Sequence, residues 1–288
     1  MTERLTCPAC GSRAGLELYK IDSFSIRKCV ECGSLYVRDV PEPKALHQIY
    51  LKSDYYSLET ESRNRIEEEN RRRVSIIKRL TQPRKVLDVG CASGLFLDAI
   101  AITGCETFGI ELSPRNAQLA SRKGHRVFVG SLADYAINDT RSTYDLITCL
   151  DVIEHVECPH RFLQLLSQRL VPDGVLVVST PNYSGIVARI LKERDVFMTP
   201  PEHLNFFSIP GLVSLAKRAG LSPVHKTTFG TLTRNELERA IAKHFRFVTT
   251  PLKPVLRLAI KAGFCAMNIL RTGLELEMYF SRAALVTE

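Results

Sequence analysis

The chain has 288 residues, of which 45% are hydrophobic and 24% charged, and its formal net charge is +8 at pH 7. This length accommodates one catalytic domain and a small additional module. No uninterrupted apolar stretch approaches the roughly 20 residues of a membrane-spanning helix, which argues against such a span. The positive charge suits anionic small molecules, anionic membrane surfaces or nucleic acid as partners.

Two C-x-x-C-G knuckles lie near the start of the chain, at residues 7–11 and 29–33. Four thiolates at this spacing can form a tetrahedral zinc site. About forty residues bury too little apolar surface to fold well alone, and a bound metal compensates for this. We therefore predict a zinc-ribbon-like module over residues 1–40, with unligated thiols or two disulfides as the alternatives. The predicted zinc ligands are Cys7, Cys10, Cys29 and Cys32.

The remaining cysteines are scattered, odd in number and mostly placed inside apolar runs. Buried cysteine of this kind behaves as a small hydrophobe and is typical of a reducing compartment. The chain also begins with charged residues and a knuckle rather than with the apolar run of a signal peptide. We therefore expect a cytoplasmic protein.

Residues 41–80 are predicted to be a helical linker. Glutamates at 67–69 are followed by arginines at 71–73, which offers several i,i+4 ion pairs. We interpret this charge run as a solvated helix face.

Residues 85–94 read Lys-Val-Leu-Asp-Val-Gly-Cys-Ala-Ser-Gly, a buried-strand pattern that runs into a glycine-rich turn. Gly90 and Gly94 permit a tight turn and close approach of a ligand. The helix-like segment that follows would direct its free N–H groups into that turn. A second predicted strand, residues 107–111, ends at Glu111, whose carboxylate suits a ribose diol. The pattern predicts a site for a nucleoside-containing cofactor.

The dinucleotide fingerprint G-x-G-x-x-G and the P-loop are both absent from this turn. Asp88 would repel phosphates and attract an amine. The stretch resembles motif I of class I S-adenosylmethionine (SAM) methyltransferases, D/E-x-G-x-G-x-G, with Ala92 at the middle glycine. A strand-turn-helix without a ligand is the alternative.

The resemblance extends over about residues 86–229 and returns at the last predicted strand. It implies that Asp134 accepts a hydrogen bond from the adenine amino group, and that the strand at residues 144–150 ends at the reaction centre. The predicted cofactor contacts are Asp88, Gly90, Cys91, Gly94, Glu111, Leu112, Asp134, Leu150 and Asp151.

The succession of strands and helices predicts an α/β fold, a doubly wound, Rossmann-like seven-stranded sheet with ligands at the carboxyl ends of its strands. The predicted methyltransferase domain covers residues 81–288, with a helical insert at about 232–272 before the last strand. In this family the segment before the first strand often covers the cofactor cleft. Tyr50, Tyr55 and Tyr56 would then line the substrate pocket or pack on the domain.

Residues 202–208, Glu-His-Leu-Asn-Phe-Phe-Ser, resemble an E-H-L-x-x-F/Y-S/T segment that is characteristic of a broad group of methyltransferases. That group includes ubiquinone-biosynthesis O-methyltransferases and sugar methyltransferases. A histidine can take a proton from a hydroxyl near neutral pH, so His203 is the leading candidate for a catalytic base. A structural loop histidine is the alternative.

Asp151, Glu154 and His155 form a second polar group beyond the fourth strand. Some relatives in ubiquinone biosynthesis hold a divalent metal at this place. Here we favour Asp151 as a contact of the methionine portion of SAM and His155 as a second catalytic residue beside the cleft.

Within the predicted insert, residues 254–270 have a basic face that includes Arg257 and Lys261, opposite an apolar face. A basic amphipathic helix can lie in a membrane interface, pack on the domain or form a dimer contact.

The combined motifs predict a SAM-dependent methyltransferase acting on a hydroxyl, or less readily an amine or carbon, of a small or lipid-linked metabolite. Sugar or polysaccharide biosynthesis is favoured on resemblance. One alternative is a ribosomal or transfer RNA methyltransferase, but no Asn-Pro-Pro-Tyr motif follows the fourth strand, which makes nucleic acid the weaker partner. A non-catalytic zinc-ribbon protein is a third class, and the retained acids Asp88, Glu111 and Asp134 argue against it.

Overall fold

The computed structural model describes residues 1–52, 55–230 and 273–282. Its strands are β1 (Thr2–Glu3), β2 (Gly15–Ile21), β3 (Phe24–Cys29), β4 (Leu35–Val37), β5 (Asp39–Val40), β6 (Lys85–Val89), β7 (Glu106–Glu111), β8 (Arg126–Val129), β9 (Tyr144–Leu150), β10 (Leu170–Pro181), β11 (Asn205–Phe206), β12 (Leu221–Phe229) and β13 (Glu275–Arg282). Its helices are α1 (Pro43–Lys52), α2 (Tyr55–Leu80), α3 (Leu95–Ala101), α4 (Pro114–Arg122), α5 (Leu132–Asn138), α6 (Pro159–Arg169), α7 (Ile186–Leu191) and α8 (Ile209–Arg218).

A seven-stranded sheet forms the centre of the molecule, with strand order β12-β13-β10-β9-β6-β7-β8. The strands from β10 to β8 pair in parallel, and β13 runs antiparallel to both of its neighbours. The α/β sheet expected from the sequence is thereby confirmed. The carboxyl ends of β6, β7, β9 and β10 meet at one edge, and the antiparallel direction of β13 brings its first residue, Glu275, to the same edge.

Helix α2 is fixed to this sheet by buried charges. Arg73 is 4% exposed, and its Nε donates to Oε2 of the fully buried Glu277 on β13 at 2.6 Å. Arg72 donates to the other carboxylate oxygen at 3.2 Å. The interpretation of the charge run as a solvated face is therefore wrong for this part of the helix, because these arginines face β13. An i,i+4 ion pair forms one turn earlier than the predicted ones, between Arg63 and Glu67 at 2.8 Å.

The N-terminal module contains a four-stranded sheet with the order β11-β4-β3-β2. The edge strand β11 comes from residues 205–206, far along the chain, and pairs antiparallel with β4. The knuckle cysteines belong to the same apolar core as Leu212 and Leu215 of α8. The cysteine module therefore packs directly on the catalytic part of the chain. The predicted domain limits stay predictions.

The predicted insert at 232–272, with its basic helix at 254–270, lies outside the described residues. Within the described ranges, no helix combines the length and the apolar character needed to cross a membrane.

Candidate active site

The turn after β6 has the backbone geometry that its glycines predict. Gly90 and Gly94 have φ of +79° and +83°, and a Cβ on Gly90 would clash with the side chain of Val152. Ala92 also lies in the left-handed region, with φ of +46°. This conformation favours glycine, which explains why the motif usually has glycine where this chain has alanine.

Glu111 at the end of β7 faces this turn. Its Oε2 accepts a hydrogen bond from the Ala92 backbone N–H at 2.9 Å, and its Oε1 accepts one from the Ser113 N–H at 2.8 Å. These two bonds fix the orientation of the carboxylate. The neighbouring Leu112 is partly buried. The predicted ribose contact is therefore positioned beside the predicted cofactor turn.

Asp88 is 2% exposed and accepts a hydrogen bond from the Thr148 hydroxyl at 2.7 Å. Burial raises the pKa of Asp88 to about 7. A ligand ammonium group nearby would favour the ionised form and reverse part of that shift. Cys91 is buried against Gly109, where any Cβ would clash with the sulfur. The sequence analysis did not single out Gly109, although a glycine inside a strand often marks such a close approach.

Asp134 is exposed in the first turn of α5, where it completes a capping box. Its Oδ2 accepts hydrogen bonds from the backbone N–H and hydroxyl of Ser131, at 3.0 and 2.6 Å. The backbone of Gly130 donates to the carbonyl of Glu111 at 2.9 Å, so this loop adjoins the ribose carboxylate. The adenine contact of Asp134 stays a prediction.

Leu150 and Asp151 lie where β9 ends. Asp151 has φ of +54°, and its Oδ1 accepts a hydrogen bond from the Ser179 hydroxyl of β10 at 2.6 Å. Its N–H also donates to the Ser179 carbonyl at 3.2 Å. These bonds direct Asp151 along the edge of the sheet, and its proposed contact with SAM remains a prediction.

His155 and His203 form a pair with ring centroids 4.7 Å apart. Nδ1 of His155 lies 2.8 Å from the carbonyl of Glu202, and Nδ1 of His203 lies 2.7 Å from the carbonyl of Phe197. A carbonyl oxygen only accepts hydrogen bonds, so each Nδ1 carries the proton and each neutral ring has its lone pair at Nε2. Burial lowers the pKa of both rings, that of His203 to about 3 with a further contribution from His155. Both rings are therefore neutral at pH 7.

Glu154 lies beside this pair and is 1% exposed. Among the described residues, its Oε2 is a buried oxygen without a hydrogen-bond partner. One ligand atom each from Glu154, His155 and His203 lie within 4.8 Å of one another. Two imidazole nitrogens with carbonyl-bound Nδ1 atoms and one carboxylate fit a divalent metal. This candidate metal-binding group differs from the one considered from the sequence, Asp151, Glu154 and His155, because His203 takes the place of Asp151.

Further unpartnered polar atoms lie along the same edge of the sheet. Within the described part of the chain, the buried atoms without hydrogen bonds include Glu154 Oε2, Thr180 Oγ1, Tyr183 OH and Glu275 Oε2. Burial, and then the carboxylates of Asp151 and Glu154, raise the pKa of Glu275 well above its ordinary value. A small cavity at this edge is lined by residues that include Tyr183 and Asp195. Sequence reasoning missed Thr180, Tyr183 and Glu275, because no local motif contains them.

Tyr50 of α1 contacts the histidine pair. Its hydroxyl donates to the carbonyl of His155 at 2.8 Å and lies 3.2 Å from that of Glu202. Its ring meets His155 edge-on at 5.3 Å. The segment before β6 therefore reaches the site through Tyr50. The side chains of Tyr55 and Tyr56 lie outside the described residues.

The four knuckle cysteines are free thiols whose sulfurs lie within 4.8 Å of one another. The Cys7–Cys32 and Cys10–Cys29 sulfur pairs are 3.7 and 3.5 Å apart. Tetrahedral zinc with Zn–S bonds of about 2.3 Å separates its sulfurs by about 3.8 Å. Gly11 and Gly33 follow the second cysteine of each knuckle with φ of +81° and +76°. The cluster fits a single zinc ion.

The strand order with its reversed β13, the tight turn after β6 and the carboxylate at the end of β7 together define a class I SAM-dependent methyltransferase. The chain belongs to the family described as methyltransferase domain, whose model matches residues 62–226, more than half of the chain.

Curated relatives include the ubiquinone biosynthesis O-methyltransferase of Leptothrix cholodnii, which is 36% identical over 153 residues, or 49% of this chain and 65% of that protein. The mitochondrial ubiquinone biosynthesis O-methyltransferase of Schizosaccharomyces pombe is 31% identical over 128 residues, or 42% of this chain and 44% of that protein. These matches span less than two thirds of the relatives' own length.

Solved structures of the same fold include a SAM-dependent methyltransferase from Archaeoglobus fulgidus, with a TM-score of 0.55 and 18% identity over 80% of this chain and 100% of that chain. Another is the 1,6-didemethyltoxoflavin-N1-methyltransferase of Burkholderia thailandensis, solved with S-adenosylhomocysteine, with a TM-score of 0.53 and 16% identity over 93% of this chain and 99% of that chain. At these identities the likeness shows the fold alone.

Proposed function

We propose that this protein transfers the methyl group of SAM to a hydroxyl group of a small acceptor. The observation that carries the proposal is the pair of neutral imidazoles, His155 and His203, whose Nε2 atoms can accept hydrogen bonds. Val152, three residues before His155, packs against Gly90 of the cofactor turn, which brings the pair near the predicted methyl donor. The curated relatives are named O-methyltransferases, which supports a hydroxyl acceptor.

In the proposed reaction the acceptor oxygen attacks the methyl carbon, the carbon–sulfur bond breaks and a neutral thioether leaves. The hydroxyl proton passes to Nε2 of His203 as the carbon–oxygen bond forms, because the oxygen becomes strongly acidic as it is methylated and a ring of low pKa can then accept the proton. In-line positioning by the site contributes to the rate, and proton removal matters because a neutral hydroxyl is a weak nucleophile. A divalent metal held by Glu154, His155 and His203 would be the alternative to this base: it would lower the pKa of the hydroxyl, and Nε2 of His203 would then be a ligand and not the proton acceptor.

The preferred acceptor is a sugar or another polyhydroxylated compound, in sugar or polysaccharide biosynthesis. This finer proposal is supported by the unpartnered oxygens of Glu154, Thr180, Tyr183 and Glu275, since buried polar oxygens need hydrogen-bond partners. A compound with several hydroxyl groups supplies both donors and acceptors.

The test combines calorimetry with SAM and a measurement of S-adenosylhomocysteine release over a panel of sugars, phenols and alkylamines. We expect SAM binding and turnover with members of the sugar set. Turnover confined to phenols would refute the sugar proposal and keep the methyltransferase. Absence of SAM binding at millimolar concentration would refute both.

We also propose one structural zinc ion per chain, held by Cys7, Cys10, Cys29 and Cys32. Elemental analysis of protein purified without chelators should find one equivalent of zinc. Cys29→Ser should lose the zinc, because Cys29 is a buried ligand of the cluster. Cys105→Ser, outside the cluster, is the matched control and should retain it. A metal-free wild type with a folded N-terminal module would refute the zinc site.

The proposed location is the cytoplasm, with peripheral contact of residues 254–270 with an anionic membrane when the acceptor is lipid-linked. Those residues lie outside the described ranges, so the proposal rests on their sequence. The protein should sediment with anionic vesicles at low salt and less as salt rises, because screening weakens the attraction. Replacing Arg257 and Lys261 by glutamate should prevent sedimentation. A wild type that stays in the supernatant would refute membrane contact.

A further inference from the structure

We propose that the four-cysteine module is a positioning element of the acceptor site: zinc bound to its knuckles fixes strand β11 and, through Asn205, the turn that carries Glu154 and His155. The inference rests on the proposed function for the role of the histidines and on the proposed zinc site for the bound metal. It assigns to Ser34, Ser208 and Asn205 a role that the sequence pattern does not reveal.

The first step of the connection joins the second knuckle to the residues after β11. The hydroxyl of Ser208 donates to the carbonyl of Cys32, a predicted zinc ligand. The Ser208 N–H donates to the hydroxyl of Ser34 at 3.1 Å. A Cβ on Gly211, in the first turn of α8, would clash with Ser34. The knuckle is thus in close contact with the start of α8.

The second step is the sheet pairing. Asn205 and Phe206 pair with Tyr36 and Leu35 of β4, directly after the second knuckle. The Val37 N–H donates to the carbonyl of Leu204 at 3.0 Å. The residues that follow His203 are therefore held as an edge strand of the zinc module.

The third step is the amide of Asn205, which is 1% exposed. Its Nδ2 lies 2.7 Å from the carbonyl of Val156 and 3.2 and 3.3 Å from those of Ile153 and Glu154. Its Oδ1 accepts a hydrogen bond from Arg4 of the N-terminal module at 3.0 Å. One side chain thus joins the module to the turn after β9.

Arg4 strengthens the same junction. Its guanidinium donates to the carbonyls of Leu204 and Glu157 as well as to Asn205. The N–H of Leu204 in turn donates to the carbonyl of Glu154 at 2.8 Å. Both candidate histidines are adjacent to bonded residues of this junction, since His203 precedes Leu204 and His155 follows Glu154.

Among the described contacts, the cofactor turn meets this connection through the packing of Val152 against Gly90 and through no hydrogen bond. Gly90 and Glu111 are held by β6, β7 and the Ala92 and Ser113 amides, without bonds to the module among the described contacts. Loss of zinc should therefore disorder the acceptor side of the site, residues 153–156 and 204–208, and leave SAM binding intact. A module that only stabilised the whole fold would affect both sides together.

The experiment is hydrogen exchange on the full chain with S-adenosylhomocysteine bound, before and after zinc is removed by a chelator. We expect exchange at residues 153–156 and 204–208 to become at least about tenfold faster, because the hydrogen bonds that protect them lose their support. Exchange in β6 and β13 should be unchanged, and the affinity for SAM should stay within about twofold of the zinc-bound protein.

The Asn205→Asp variant tests the same connection while zinc stays bound. It replaces the donating amide by a carboxylate oxygen, which cannot donate to the three carbonyls. It should shift the imidazole NMR signals of His155 and His203 while elemental analysis still finds zinc. Asn138→Asp is the matched control, because Asn138 contacts a single carbonyl in α5. If Asn205→Asp does not fold, Arg4→Gln makes the same test.

Unchanged exchange at 153–156 and 204–208 in zinc-free protein would overturn the inference. Unshifted imidazole signals in a folded, zinc-loaded Asn205→Asp or Arg4→Gln variant would also overturn it. Loss of SAM binding together with acceptor-side protection would show global stabilisation instead of positioning. Failure of wild-type protein to bind SAM at all would refute the proposed function and not the coupling, which the exchange data report separately.

Discussion

Replacing His203 by alanine should lower kcat by roughly 10²–10⁴, the range typical for loss of a general base. The reason is that Nε2 of His203 is the predicted proton acceptor, with its tautomer fixed by the bond from Nδ1 to Phe197. The affinity for SAM should stay nearly unchanged, because the cofactor turn makes no hydrogen bond to this ring among those of the described residues. Turnover measurements with the acceptor found in the panel, together with calorimetry, check both parts.

His225→Ala is the matched control, because His225 is an exposed residue of β12 and should leave kcat unchanged. An unchanged kcat in His203→Ala would identify His203 as a structural loop histidine, or the acceptor as an amine that needs no base. If a chelator lowers kcat as strongly as the substitution does while elemental analysis still finds the zinc of the cysteine cluster, then His203 acts as a metal ligand instead.

The parts of this molecule that the sequence predicted are local in the chain. The cofactor turn is a run of ten residues that contains its strand and both glycines, and Glu111 ends the next strand along the chain, 17 residues after Gly94. The strands of the sheet follow from buried apolar runs, such as residues 175–180 of β10. A continuous apolar run already specifies a buried parallel strand, so little long-range information is needed.

The parts that the sequence did not predict depend on contacts between distant segments. The pairing of residues 35–36 with 205–206 joins positions about 170 apart, and a two-residue strand has no periodicity to detect. Asn205 lies inside a motif, but its three carbonyl contacts exist only after the turn beyond β9 has folded against it. Glu275 lies at the edge of the sheet where β9 and β10 end, because β13 runs antiparallel to β10. No sequence pattern around Glu275 indicates that strand direction.

The arginines of α2 also show that a local pattern does not predict a contact with a distant residue. Arg72 and Arg73 belong to a charge run that composition alone describes as solvated. In the structure Glu277 binds both, and Arg73 is nearly fully buried. A buried ion pair of this kind depends on its partner, and the partner lies about 200 residues further along the chain.

Replacing Glu111 by alanine should raise the Kd for SAM by at least about tenfold. Hydrogen bonds to a charged acceptor contribute about 1.5–3 kcal/mol each, and 1.4 kcal/mol corresponds to a factor of ten. The same carboxylate accepts bonds from Ala92 and Ser113, so its loss also frees the cofactor turn. Ala92 already lies in an unfavourable left-handed conformation, which makes the turn dependent on that support.

Calorimetry with SAM and S-adenosylhomocysteine measures the change, and Glu106→Ala provides the control. Glu106 begins the strand that Glu111 ends, but it is exposed and pairs with Arg126 at 2.9 Å, away from the turn. Glu106→Ala should bind SAM as the wild type does. Glu111→Gln should retain part of the affinity, because an amide oxygen accepts a hydrogen bond without the charge. Equal SAM affinity in Glu111→Ala and Glu106→Ala would show that the end of β7 does not contact the cofactor.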